Sequence, residues 1–327
     1  MDQIRWRVLI ALGLSPILSV PAHASTAFTI TPTFAASITS DANAGAIENT
    51  INMAIQSYEN LFSNPINVTI EFQEMSSGLG ESEKNLYSIS YSNFYTAYAS
   101  NAASNNDPAA STALAAGVVP NQTDNPVTGS ANLAMTTADI NALGISCPGC
   151  TGPSGFDGIV SLNTHITTPG SPGSSLAYYL LPVVYHEIDE VLGLGSSLDQ
   201  RFQTTNPSVE DLFRYASNGS RSYTTNTSAQ AYFSVNGSTD LAQFDNQHDG
   251  GDWGDWQSNP LPTGVLPQVQ DAFATAGANP ALGVEITALE AIGYDLSEPE
   301  PGTLILLGTG LALLGIVARR RRIIPTA

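Results

Sequence analysis

Residues 183–197 read VVYHEIDEVLGLGSS. Positions four apart share one face of an α-helix, with side chains a few ångströms apart. His186 and Glu190 stand at that spacing, and Glu187 lies beside them. An imidazole and a carboxylate so placed can reach one divalent ion. A neighbouring carboxylate can accept a proton from water on that ion. Val184, Ile188, Val191 and Leu192 fall where they would pack the other side of the helix, and Gly193 is suited to end it. A solvated polar stripe on a half-buried helix is the plainer reading of the same string.

Outward from this helix the pattern is mixed. Upstream, residues 156–163 (FDGIVSLN) read as a strand, and the Pro/Gly/Ser stretch 169–175 as a loop. Near the start, residues 28–34 (FTITPTF) alternate. Ile47, Ile51, Ile55, Tyr58 and Phe62 follow at helical spacing, with Asp41 placed to cap them. Ile66, Val68, Ile70 and Phe72 then alternate with polar residues as in a half-buried strand. Strand, helix and strand in that order predict a βαβ opening. Residues 80–135 give little pattern beyond an alanine-rich helix near Ala113. The tyrosines at 87, 91, 95 and 98 suit core packing better than a ligand face, and 135–143 suit a short helix. After Ser196 the chain reads as short strands, with Asn236-Gly237 as a hairpin turn. Residues 286–292 then read as a helix. The expectation is one α/β (α+β) domain over residues 25–297, with an irregular, β-rich C-terminal half.

Of the 327 residues, 29 are acidic and 10 are Lys or Arg, for a net charge of −19. Between residues 25 and 297 the only basic residues are Lys84, Arg201, Arg214 and Arg221. Nucleic acid is not an expected partner, because phosphate binding needs a basic face. A field of this sign favours divalent cations. The only cysteines are Cys147 and Cys150, in Cys-Pro-Gly-Cys. With no second pair to complete a thiolate zinc site, and outside the cytoplasm, they suit a structural disulfide.

The two ends read as addresses. Arg5 and Arg7, an apolar run over 8–20 and Ala22-His23-Ala24 have the order of a signal peptide, predicting a mature chain from about Ser25. At the far end come Pro299-Glu300-Pro301, an apolar run over 303–318 and arginines at 319–322. This order resembles the PEP-CTERM sorting signal. The resemblance implies export and a transient inner-membrane anchor formed by a transmembrane helix over 303–318. It also implies removal of that anchor by an exosortase-type sorting enzyme, leaving the protein at the cell surface or outside the cell.

The helix itself is similar to the active-site helix of metzincin-like metalloproteases, His-Glu-x-x-His-x-x-Gly-x-x-His/Asp. His186, Glu187 and Gly193 match; Glu190 replaces the second His and Ser196 the third ligand. Residues 211–215, 231–237, 251–256 and 286–294 look like PEP-CTERM proteins of a metalloprotease-like family, some of which carry this variant helix. No methionine follows the helix, so the Met-turn of true metzincins is absent. The resemblance implies a zincin-like fold, Zn²⁺, a protein or peptide substrate, His186 and Glu190 as ligands and Glu187 as catalytic base. Asp211 is the expected third ligand, with His248, Asp199 and His165 as alternatives. Exchanging imidazole for carboxylate cancels part of the ion's charge, makes bound water less acidic and favours harder ions. The chemistry could be weakened or lost, leaving a non-catalytic surface or matrix protein on the same fold. The acid-rich loop of Asp245, Asn246, Gln247, Asp249, Asp252 and Asp255 is an alternative place for Ca²⁺.

Overall fold

The computed structural model describes residues 27–104, 107–170, 177–199 and 205–297. Strand β1 (Thr29–Phe34) leads through a short helix α1 (Ala36–Thr39) and a long helix α2 (Ala44–Leu61) to β2 (Asn67–Glu74). Ile47, Ile51, Ile55 and Tyr58 form the buried face of α2. β2 buries Val68, Ile70 and Phe72 and turns the residues between them outward. β1 and β2 pair in parallel, Ile30 opposite Val68, so the βαβ opening is present.

Next come β3 (Gly80–Glu83), β4 (Tyr87–Ser90), α3 (Tyr91–Ser104) and α4 (Pro108–Ala116). Asp107 caps α4 by accepting the Ala110 amide at 2.8 Å. Tyr91, Phe94 and Tyr98 of α3 enter the core. Then follow β5 (Asn132–Met135), α5 (Thr137–Ala142), β6 (Gly158–Leu162), β7 (Thr167–Thr168), β8 (Tyr178–Tyr179) and α6 (Leu180–Leu192). The main sheet has the order β1-β2-β6-β3. Its first three strands are parallel, and β3 closes the edge antiparallel to β6.

α6 packs on β3, β6 and α2. Leu180, Val184, Ile188, Val191 and Leu192 supply the apolar face, and all are buried. The Tyr58 hydroxyl donates to Asp189 Oδ1 at 2.7 Å, tying α2 to α6 inside the core. The helix ends at Gly193, whose φ of 130° suits glycine.

The chain beyond α6 corrects the expectation of a β-rich half. Among the described residues it holds a 3-10 turn (Glu210–Phe213), three two-residue strands β9 (Arg214–Tyr215), β10 (Tyr232–Phe233) and β11 (Ala242–Gln243), then α7 (Val284–Ile292). β10 and β11 form the hairpin that Asn236-Gly237 predicts, antiparallel and with Gly237 at φ 72°. The remainder is turns held by side chains. Buried Arg214 donates to the Trp253 carbonyl at 2.6 Å and to Asn246 Oδ1 at 3.0 Å, and its guanidinium lies 4.3 Å from the centre of the Phe244 ring. Polar anchors replace strand ladders here, which is why the apolar periodicity is short.

Candidate metal centre

α6 brings His186 and Glu190 to the floor of a cavity of about 740 Å³. The third residue that meets them is Asp255. The nearest donor atoms of His186, Glu190 and Asp255 all lie within 4.8 Å of one another. His186 Nε2 stands 3.7 Å from Asp255 Oδ2. Two ligands each about 2.1 Å from a tetrahedral ion sit roughly 3.4 Å apart, so this spacing fits one ion.

The His186 tautomer is set by its other nitrogen. Nδ1 lies 3.1 Å from the Val269 carbonyl. A carbonyl only accepts, so Nδ1 carries a proton, and Nε2 is the ring nitrogen that faces Asp255. A backbone carbonyl behind a ring nitrogen is the usual support of a metal-ligating histidine.

Asp255 arrives on an irregular segment steered by short bridges. Trp256 bridges to Phe244 on one side and Asp271 on the other. The Trp256 indole donates to Glu285 Oε1 at 3.2 Å, fixing the segment to the start of α7. Asp255 Oδ1 accepts from Gln270 Nε2 at 2.9 Å, which leaves Oδ2 facing His186. Burial pushes the Asp255 carboxyl well above the usual carboxylate range, and the Glu190 charge adds to this.

Gly254 makes the close approach possible. A Cβ there would lie 2.4 Å from Gly195 Cα and 2.6 Å from the Ser196 amide nitrogen, both backbone atoms. Gly254→Ala is therefore expected to push the loop away from the end of α6, costing about 1–3 kcal/mol of stability. Urea unfolding should show this as a lower midpoint.

Glu187 is buried against β3. A Cβ on Gly80 would lie 2.3 Å from Glu187 Oε1, so only glycine leaves room for the carboxylate. Burial raises the Glu187 carboxyl to about 8; the neighbouring Glu190 and Asp255 add to this, while His186 and Lys84 oppose it. Glu190 Oε2 accepts from Ser82 Oγ and lies 3.5 Å from Lys84 Nζ.

Asp211, the third ligand expected from sequence, lies outside this cluster with its oxygens in use. Oδ1 accepts from Ser196 Oγ at 2.5 Å. Oδ2 accepts from the Ser197 and Ser208 amides at 3.0 and 2.8 Å and from Ser208 Oγ at 2.9 Å. Asp211 pins the turn after α6 instead of facing the cavity. Asp199 is buried within that turn, His165 is exposed, and the His248 ring rests edge-on against Trp253 at 5.1 Å. None of these joins His186 and Glu190 in the cluster.

In the acid loop read as an alternative place for Ca²⁺, burial raises the Asp245 carboxyl to about 7 and the neighbouring Asp249 adds to this. Asp249 accepts from the Gly251 amide at 3.1 Å, and Asp255 faces His186. From the sequence Asp255 belongs to the acid-rich loop, and its meeting with His186 and Glu190 was not foreseen, nor was any role for Ser82 and Lys84. The Gly-Asp-Trp-Gly-Asp-Trp repeat that holds Asp255 was the one available signal.

Cys147 and Cys150 are joined as a disulfide, Cα atoms 5.5 Å apart. The signal-peptide stretch, the sorting residues Pro299, Glu300 and Pro301, and the 303–318 run lie outside the described residues. Among the described residues no helix is long and apolar enough to cross a membrane. No curated protein and no solved structure matches the chain. The PEP-CTERM protein-sorting motif matches residues 299–322, which marks an exported, membrane-transiting protein recognised by an exosortase-type sorting enzyme.

Proposed function

We propose that the domain is a metallopeptidase-like hydrolase of zincin type, with His186, Glu190 and Asp255 holding a divalent cation and Glu187 as general base. The reading rests on one observation: three donor atoms from α6 and a distant loop converge within 4.8 Å. Asp255 takes the place first expected of Asp211. Zn²⁺ is the proposed ion; when bound, it would polarise a peptide carbonyl and acidify water.

The chain's own groups do the rest. Glu187 accepts the proton of the attacking water and passes it to the leaving amine. The buried wall of Val183 and Gly80 shields that carboxylate from bulk solvent. β3 forms the edge of the main sheet and also lines the cavity, so an extended peptide could pair along it.

Two carboxylate ligands favour a second reading, in which a harder ion is held for structure alone in a non-catalytic surface or matrix protein. Metal analysis and calorimetry on the full chain test both. One equivalent of ion is expected, and Asp255→Asn should weaken its binding by at least about 100-fold. Asp211→Asn should lower the melting temperature and leave affinity within about threefold, because it breaks only hydrogen bonds of the turn. Absence of stoichiometric metal, or loss of binding in Asp211→Asn alone, defeats the assignment. Bound metal without peptide hydrolysis selects the second reading.

A further inference from the structure

The sequence contains a single lysine, Lys84. Lysine is ordinarily among the most exposed residues. Here its side chain is only 3% exposed, just beyond β3. Its ammonium lies 3.5 Å from Glu190 Oε2 and 3.4 Å from both Ser82 Oγ and the Leu194 carbonyl. The same charge also acts on the buried carboxyls of Glu187 and Asp255. A chain this poor in cations thus places its one lysine directly behind a proposed ligand.

The donor set gives that placement a meaning. One imidazole and two carboxylates make a dication site formally neutral, and water there is a poor acid. A fixed positive charge behind one carboxylate draws electron density away from the ion. Binding weakens, and the ion that does bind is left more electrophilic.

We propose that Lys84 is a positioning residue that tunes the ion through Glu190, offsetting the charge introduced where related helices carry a second histidine. This rests on the metal-site reading above. Lys84 lines the same cavity as the proposed ligands. In this role it acts on the carboxylate that binds the ion, and Ser82 fixes that carboxylate from the adjoining strand β3.

The test is calorimetric titration of the full chain with zinc chloride and with manganese chloride. Lys84→Gln, which can keep hydrogen bonds to Ser82 and Leu194, should tighten ion binding about tenfold while hydrolysis slows. Lys84→Met should do the same, and Lys84→Arg should restore wild-type affinity. A lysine serving only to fill space and neutralise acids predicts a lower melting temperature with affinity unchanged or weaker; that result overturns the proposal.

A wild-type measurement covers variants that fail to fold. Lysine labelled with ¹⁵N gives one side-chain ammonium resonance, which zinc should shift; an unmoved resonance also overturns the proposal. If the wild-type chain binds no ion, the metal centre falls and this inference with it. If the wild type binds and Lys84→Gln is unchanged, only this inference falls.

Discussion

Glu187→Gln is expected to lower peptide hydrolysis by about 10²–10⁴-fold while the ion stays bound. Gln has nearly the shape of Glu, so contacts with Val183 and Gly80 are kept and the loss is one of proton transfer. Burial raises the Glu187 carboxyl to about 8 in the metal-free chain, and a dication bound beside it would draw it back toward the ionised form that a base needs. Kinetics on an unstructured protein substrate, paired with metal analysis of the same sample, separates the two effects. An active variant with full metal would remove Glu187 from the chemistry. Loss of metal together with activity would mean that Glu187 holds the site together.

The metal-free chain should lose stability as pH rises from about 5 to 8, and zinc should restore much of it. Glu187 and Glu210 are both buried, and burial raises each to about 8 in the folded protein. An unfolded glutamate releases its proton near pH 4.3. Between these values the folded form holds protons that the unfolded form has lost, so stability falls with rising pH. One such group costs about 1.4 kcal/mol per pH unit inside its window. A domain of this size loses roughly 2–4 °C per kcal/mol. Scanning calorimetry should therefore show the melting temperature dropping several degrees per pH unit. Zinc at about a thousand times its dissociation constant adds about 4 kcal/mol, worth roughly 8–16 °C. A melting temperature flat across this range would show that these acids are solvated after all.

The parts of the fold readable in advance are those where burial follows a period. Val68, Ile70 and Phe72 alternate because one face of β2 meets the core; Ile47, Ile51, Ile55 and Tyr58 recur because one face of α2 does. The placement of His186, Glu187 and Glu190 on one helix was legible for the same reason. β3 was not. Its sequence, GESE, has no apolar residue, and only pairing with β6 makes it a strand.

Asp211 and Asp255 look alike in the sequence, each an acid in a loop with aromatic neighbours. What separates them is the set of donors they meet. Ser196, Ser197 and Ser208 converge on Asp211, whereas Gln270 meets only one oxygen of Asp255. Those partners come from segments that only the folded chain brings together. The β-rich reading of the C-terminal half failed because short apolar runs there mark anchors such as Trp256 and Phe244, not ladders.

The Phe28 ring meets Phe62 at 5.8 Å and Tyr294 at 6.0 Å, and the Ser297 amide bonds back to the Leu61 carbonyl at 2.8 Å. The opening and closing stretches of the domain are therefore neighbours, and the last of them seals the core. A polypeptide threaded outward with its N-terminus foremost cannot complete this seam until almost the whole of the described domain has crossed. Closure of the domain is expected to follow passage, not precede it.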